Sequence, residues 1–165
     1  IYARFRDKSG ILRSIRERLW EEVCATADAA LDPARWEGAT ISEIAQEAIA
    51  FLVQVHRERI GVLREAMGRA LADPELGGQL ERVISHICDK LAVLLLARSD
   101  EIGHHDPALA AHFAFRLLLG VLKEAILFGT PGTHGIPRSD ERLSEELTRA
   151  FLGYLGVRFA RHELV

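Results

Sequence analysis

Apolar side chains recur at intervals of three and four along most of this 165-residue chain, the spacing that gathers one face of an α-helix. Ile11, Leu12, Ile15, Leu19, Val23 and Ala27 predict a first helix from about Lys8 to Ala30, with Asp7 placed to cap it and Asp32-Pro33 to end it. Trp36-Glu37-Gly38 continues the connection. Thr40-Ile41-Ser42-Glu43 is a capping box, in which the threonine oxygen and the glutamate carboxylate satisfy amides that have no partner at a helix start. A helix from Ile41 to about Arg57 follows. Ile60, Leu63, Met67, Ala70 and Leu71 carry helical spacing on to Asp73, with Gly61 marking the break. Asp73-Pro74 and Asp106-Pro107 each set a capping carboxylate before a proline at the first helical position. They open helices over about 74–98 and 107–128. The glycine- and proline-rich run 129–137 is a loop, and a last helix covers about 140–158. No stretch alternates Val, Ile or Thr with polar residues, and no repeat has a fixed period. The fold class is all-α.

The helix over 107–128 is apolar nearly all round, with Leu109, Phe113, Phe115, Leu117, Leu118, Leu119, Val121, Leu122, Ile126, Leu127 and Phe128 covering every direction. Such a helix must be covered on more than one side, and a domain of five or six helices can scarcely enclose it. The last helix adds an apolar set of its own, with Ala150, Gly153 and Gly156 permitting close approach. Together the two helices predict a homodimer built as a four-helix bundle about a two-fold axis. The residues assigned to that interface are Leu118, Leu122, Leu147, Phe151, Tyr154 and Leu155.

Composition narrows the class. Apolar residues make up 48% and charged residues 27%, a balance that suits a globular chain and argues against bulk disorder. The net charge is −3, which gives no general drive toward nucleic acid. Its distribution does more: residues 1–18 hold Arg4, Arg6, Lys8, Arg13, Arg16 and Arg18 against Asp7 and Glu17, so this end carries +4 and the remainder −7. A basic end on an acidic body concentrates phosphate contacts on one face. Cys24 and Cys88 lie far apart with no C-x-x-C spacing, so neither a zinc knuckle nor a redox pair is indicated, and a reducing cytoplasm is the expected location. No signal peptide is visible. His112, Arg116, Lys123 and Glu124 interrupt the most apolar segment, which argues against a membrane span.

The first dozen residues carry the most specific signal. Tyr2, Phe5, Lys8 and Leu12 form Y-x-x-F-x-x-K-x-x-x-L, which resembles the end of the helix-turn-helix module of TetR-type transcriptional regulators. The resemblance implies that Tyr2 closes the recognition helix against the DNA backbone, Phe5 plugs the core of the small domain, and Lys8 opens the next helix facing a phosphate. Tyr2, Arg4 and Lys8 are therefore the expected DNA-phosphate contacts. The helices that read bases should precede Tyr2, so residues 1–31 read as a remnant of the DNA-binding module with its connecting helix, and residues 32–165 as a ligand-binding and dimerisation domain. The resemblance further implies operator DNA as partner, a small effector that shifts the first helix, and repression as the usual action.

Other constellations are weak. His104-His105-Asp106 has metal-ligand types, but neighbouring histidines at a helix start point apart, and the helical zinc and di-iron motifs are absent. The 129–135 loop lacks the preceding strand and following Gly-Lys of a phosphate cradle. No G-x-S-x-G elbow occurs. Catalytic residues, metal and cofactor are accordingly assigned to none, and an enzyme is not expected. Polar groups inside apolar helices are better candidates. His86 and Cys88 interrupt one helix, while His112 and Arg116 stand one turn apart in another. A buried arginine needs a partner, either a carboxylate such as Glu81, Asp89 or Glu124, or a ligand. The expected effector site is mainly apolar and comprises Phe51, Val55, Met67, His86, Cys88, His112, Phe115 and Arg116. The alternatives are a helical protein-interaction adaptor without a small-molecule ligand, a regulator with a vestigial pocket, and a small helical enzyme.

Overall fold

The structure, a computed structural model, describes the backbone of residues 2–129 and 134–157, and side chains at residue 14, over 17–129 and over 134–157. Six α-helices follow in order: α1 (Tyr2–Ala30), α2 (Ile41–Glu58), α3 (Ile60–Ala72), α4 (Pro74–Leu96), α5 (Pro107–Leu122) and α6 (Asp140–Leu155). Short 3-10 turns occupy Pro33–Trp36 and Ser99–Glu101, and α5 runs into a wider π-helical turn over Lys123–Phe128. No strand occurs among the described residues.

The local signals act as their chemistry dictates. Thr40 Oγ1 accepts from the Glu43 amide at 3.3 Å, and Glu43 Oε2 accepts from the Thr40 amide at 2.8 Å. That backbone bond is the main reason the Glu43 carboxyl sits below its usual pKa. Asp73 accepts from the Glu75 amide at 2.9 Å and Asp106 from the Leu109 amide at 3.0 Å, each before its proline. Two expectations need correction. The backbone is helical from Tyr2, so Asp7 lies inside α1 and not at its N-terminus. Gly10 is the strongest helix breaker there, and one glycine costs only about 1 kcal/mol. The last helix stops at Leu155, because Gly156 turns left-handed at φ 70° and Val157 N–H donates to the Leu152 carbonyl at 3.0 Å, a Schellman-type end.

The core lies where α2 meets α6 and where α5 meets α4 and α6, while α3 covers α4. Ile41, Ile44, Ile49 and Val53 of α2 are fully buried with Leu94, Leu95, Leu122, Leu143, Leu152 and Leu155. Arg98, just past α4, fastens the connection before α2. Its Nε donates to the Ala39 carbonyl, Nη2 to that of Trp36, and Nη1 to that of Leu94 at 2.8 Å. The end of α6 meets the α4–α5 connection backbone to backbone: His104 N–H donates to the Leu155 carbonyl at 3.1 Å, and a β-carbon on Gly103 would stand 2.7 Å from the Gly156 oxygen. Just past the π turn, a β-carbon on Gly129 would stand 2.0 Å from the Glu124 oxygen, so a larger residue there would force the backbone to shift. Arg64 Nε of α3 donates to the Leu127 carbonyl at 2.7 Å and ties that turn down.

Candidate functional site

Helix α5 sorts its apolar residues into two stripes. Ala110, Ala111, Ala114, Phe115, Leu118 and Leu122 face the core, while Leu109, Phe113, Leu117 and Val121 are exposed at four-residue spacing. On α6, Leu143, Leu147, Phe151, Leu152 and Leu155 are buried, while Ala150 and Gly153 are exposed and Tyr154 is half-buried. The Tyr154 ring meets that of Phe113 with centroids 5.4 Å apart, which joins the outer faces of the two helices. Of the six interface residues expected from sequence, Leu118, Leu122, Leu147, Phe151 and Leu155 therefore fill this chain's own core. Only Tyr154 lies at the open face. A helix apolar in every direction carries no moment that says which stripe turns inward, and the register was set by packing against α4 and α6.

Between α4 and α5 runs a polar seam. Arg116 donates through Nη1 to Glu81 Oε2 at 3.0 Å and through Nη2 to the other carboxylate oxygen. Ser85 Oγ donates to Glu81 Oε1 at 3.2 Å. This forked bond holds the Glu81 carboxyl below, and the Arg116 guanidinium above, their ordinary pKa values. One turn along, His112 Nδ1 lies 2.8 Å from the Ala108 carbonyl and Nε2 lies 3.1 Å from Asp89 Oδ1. Both partners are acceptors, so the doubly protonated ring suits the position best, and the Ala108 carbonyl with Asp89 raises the His112 pKa. The expectation of a buried Arg116 is corrected: it is exposed, its side-chain stem crossing the seam to reach Glu81. Behind the seam, Phe115 and Cys88 are buried at 2% and 4% exposure. Burial pushes the Cys88 thiol pKa up, which disfavours thiolate chemistry.

The remaining expected ligand residues disperse. His86 faces α1, where its Nε2 lies 2.8 Å from Asp28 Oδ1. Met67 packs on the core from α3, and Val55 is half-buried on α2. Phe51 is exposed on α2, whose main partners are α6, α3 and the π turn. The structure thus brings Cys88, His112, Phe115 and Arg116 together and leaves Phe51 and His86 apart from them. The side chains of Tyr2, Arg4 and Lys8 lie outside the described residues.

Sequence reasoning missed His56, which is buried on α2 with Nδ1 2.8 Å from the Leu52 carbonyl. Desolvation, with a smaller contribution from nearby Lys123, lowers its pKa and favours the neutral ring. It also missed Arg64, Arg98 and Asp28, whose partners are remote and leave no local pattern. Among the described residues, no group of three or more His, Cys, Asp or Glu is placed to hold a metal ion, and no helix is long and apolar enough to cross a membrane.

Residues 40–155 match the family described as the tetracyclin repressor-like, C-terminal domain. Neither a curated protein nor a solved structure shows significant similarity to the chain. The match opens on the Thr40 cap and closes on the last residue of α6, spanning most of the sequence, and the chain belongs to the TetR family of transcriptional regulators.

Proposed function

We propose that the chain is the effector-sensing and dimerising part of a TetR-type repressor that acts on operator DNA in the cytoplasm. The carrying observation is the family match over 40–155. The basic residues at the start of α1 agree with it, because Arg4, Lys8 and their neighbours place positive charge where a helix-turn-helix would join. Residues 1–31 then connect the DNA-reading module to residues 32–165. In this reading Tyr2, Arg4 and Lys8 contact phosphates, and neutralising Lys8 in a chain with the full module lowers the salt dependence of operator binding by about one counterion.

Dimerisation uses the outer stripe, Leu109, Phe113, Leu117 and Val121 of α5 with Ala150, Gly153 and Tyr154 of α6. A contiguous exposed apolar face of this kind marks an interaction surface, and a second copy covers it by two-fold symmetry. The effector is small and mainly apolar. Met67, Cys88 and Phe115, with the half-buried Leu63, Ile84 and Ile87, supply an apolar lining, and His112 and Arg116 supply the polar rim. An effector bearing a carboxylate or carbonyl competes with Glu81 for Arg116, and the resulting change in the α4–α5 seam shifts α1 through α4. Such an effector selects between two states of the regulator.

The test is a thermal shift with apolar acids, esters and aromatic compounds, since a ligand bound only to the native state raises the melting point by mass action. Arg116→Met should keep the fold and lose the response to the acids. If instead Arg116→Met lowers the melting point equally with and without compound, and no compound shifts the wild type, the sensor reading fails. A second reading, a helical adaptor without small-molecule ligand, is favoured by one observation: Arg116 and His112 already have carboxylate partners. That second outcome would favour it.

A further inference from the structure

The main packing partner of α1 among the described elements is α4. On α1 the half-buried residues Leu19, Trp20, Val23, Cys24 and Ala27 repeat at three and four, so they form the seam side of the helix. These contacts exclude water but select a register weakly. Val23, Cys24 and Ala27 are small, and the Trp20 indole Nε1 is buried with no acceptor among the described residues. An unpaired buried donor opposes the seat that encloses it.

The charged contact at the other end of the seam does select a register. Asp28 Oδ1 accepts from His86 Nε2 at 2.8 Å and lies 3.3 Å from Lys90 Nζ. His86 and Lys90 stand one turn apart on α4, so they form a fork, and Asp28 lies in it. Sliding α1 by one residue moves the carboxylate about 1.5 Å along the axis, enough to break one arm. We propose that Asp28 is the positioning residue that fixes the register of α1 on α4, through His86 and Lys90. Its importance for DNA binding rests on the regulator reading above; the anchor itself does not. The hydrogen bond from His86, with Lys90 beside it, also holds the Asp28 carboxyl below its usual pKa, as expected of a carboxylate held in charged form.

Trp20 reports the seat. The protein has two tryptophans, and Trp36 donates its indole N–H at 2.8 Å to the carbonyl of Ala30, the last residue of α1, so it reports the far end of the same helix. In ¹⁵N-labelled protein, Asp28→Ala should shift or broaden the Trp20 indole signal, while the backbone amide signals of Leu152 and Leu155 in the α2–α6 core stay in place. Asp28→Glu, whose longer arm still reaches the fork, should restore it. High salt acting on the wild type should move the Trp20 signal the same way, because exposed ion pairs are screened, and this arm needs no variant to fold. A Trp20 signal that ignores both Asp28→Ala and salt overturns the anchor. In a chain carrying the full DNA-reading module, Asp28→Ala should change operator affinity about two- to fivefold, the size of an exposed ion pair. Movement of Trp20 with unchanged operator affinity would uphold the anchor and count against the regulator reading.

Discussion

Replacing Gly156 by alanine tests the joint where α6 ends. Gly156 has φ 70° and ψ 24°, a left-handed conformation that costs an L-residue about 1–2 kcal/mol. The new β-carbon would lie 3.1 Å from both Gly103 Cα and Gly103 C, and 3.2 Å from His104 N. Those atoms are backbone and must recede by a few tenths of an ångström, which stretches the 3.1 Å bond from His104 N–H to the Leu155 carbonyl. Losing most of that bond adds about 1 kcal/mol. The sum is about 2–3 kcal/mol, or a melting point lower by about 5–10 °C for a domain of this size. Differential scanning calorimetry at fixed protein concentration reads it directly. Gly68→Ala is the control, because that glycine sits inside α3, outside the proposed dimer face, with nothing within 4 Å of its added β-carbon; it should stabilise by about 0.5–1 kcal/mol. A loss below about 0.5 kcal/mol for Gly156→Ala would refute the joint as described.

Three further outcomes are expected. Phe113→Glu with Leu117→Glu should leave the helical content intact and turn a dimer into monomers by light scattering, whereas Leu118→Glu, at a core position, should unfold the subunit; an unchanged oligomer in the first case removes the outer stripe as the interface. Arg98→Lys keeps the charge but cannot reach three carbonyls with a planar fork, and should cost about 1–3 kcal/mol in urea unfolding; a neutral result would mean those bonds contribute nothing net. His112 has a raised folded pKa, so its contribution is complete below the ordinary histidine value of about 6.5 and disappears as pH rises through the raised value. Being half-exposed, it contributes only a few tenths of a kcal/mol, and His112→Gln should flatten that part of the stability profile; a profile unchanged by the substitution would contradict the pairing with Asp89.

Local chemistry made the helix boundaries legible. The Thr40-Glu43 box, Asp73-Pro74 and Asp106-Pro107 each act within four residues, so their meaning does not depend on the rest of the molecule. The choice between the two stripes of α5 was illegible for the opposite reason. Leu117 and Leu118 are identical side chains one residue apart, and only the position of α4 and α6 makes one exposed and the other core. Arg116 was identified as needing a partner, with Glu81 among the candidates, but its exposure depended on how α4 lies beside α5. Arg98 could not be read at all, since it binds carbonyls about sixty positions away and any residue type supplies a carbonyl. The Y-x-x-F-x-x-K pattern pointed to the family that residues 40–155 then matched independently.

The pairing of α2 with α6 sets the order in which this chain can fold. Helices α3, α4 and α5 find partners among near neighbours, whereas α2 packs chiefly on α6, and the Arg57–Asp140 ion pair joins positions 83 residues apart. Contacts so distant in sequence form late, after the entropy of closing the intervening loop has been met. During synthesis the apolar side of α2, with Ile44, Ile49 and Val53, therefore stays partly uncovered until α6 has emerged. A nascent chain stopped before residue 140 would present that surface to chaperones or to other chains, and the sixteen-residue helix α6 is what covers it.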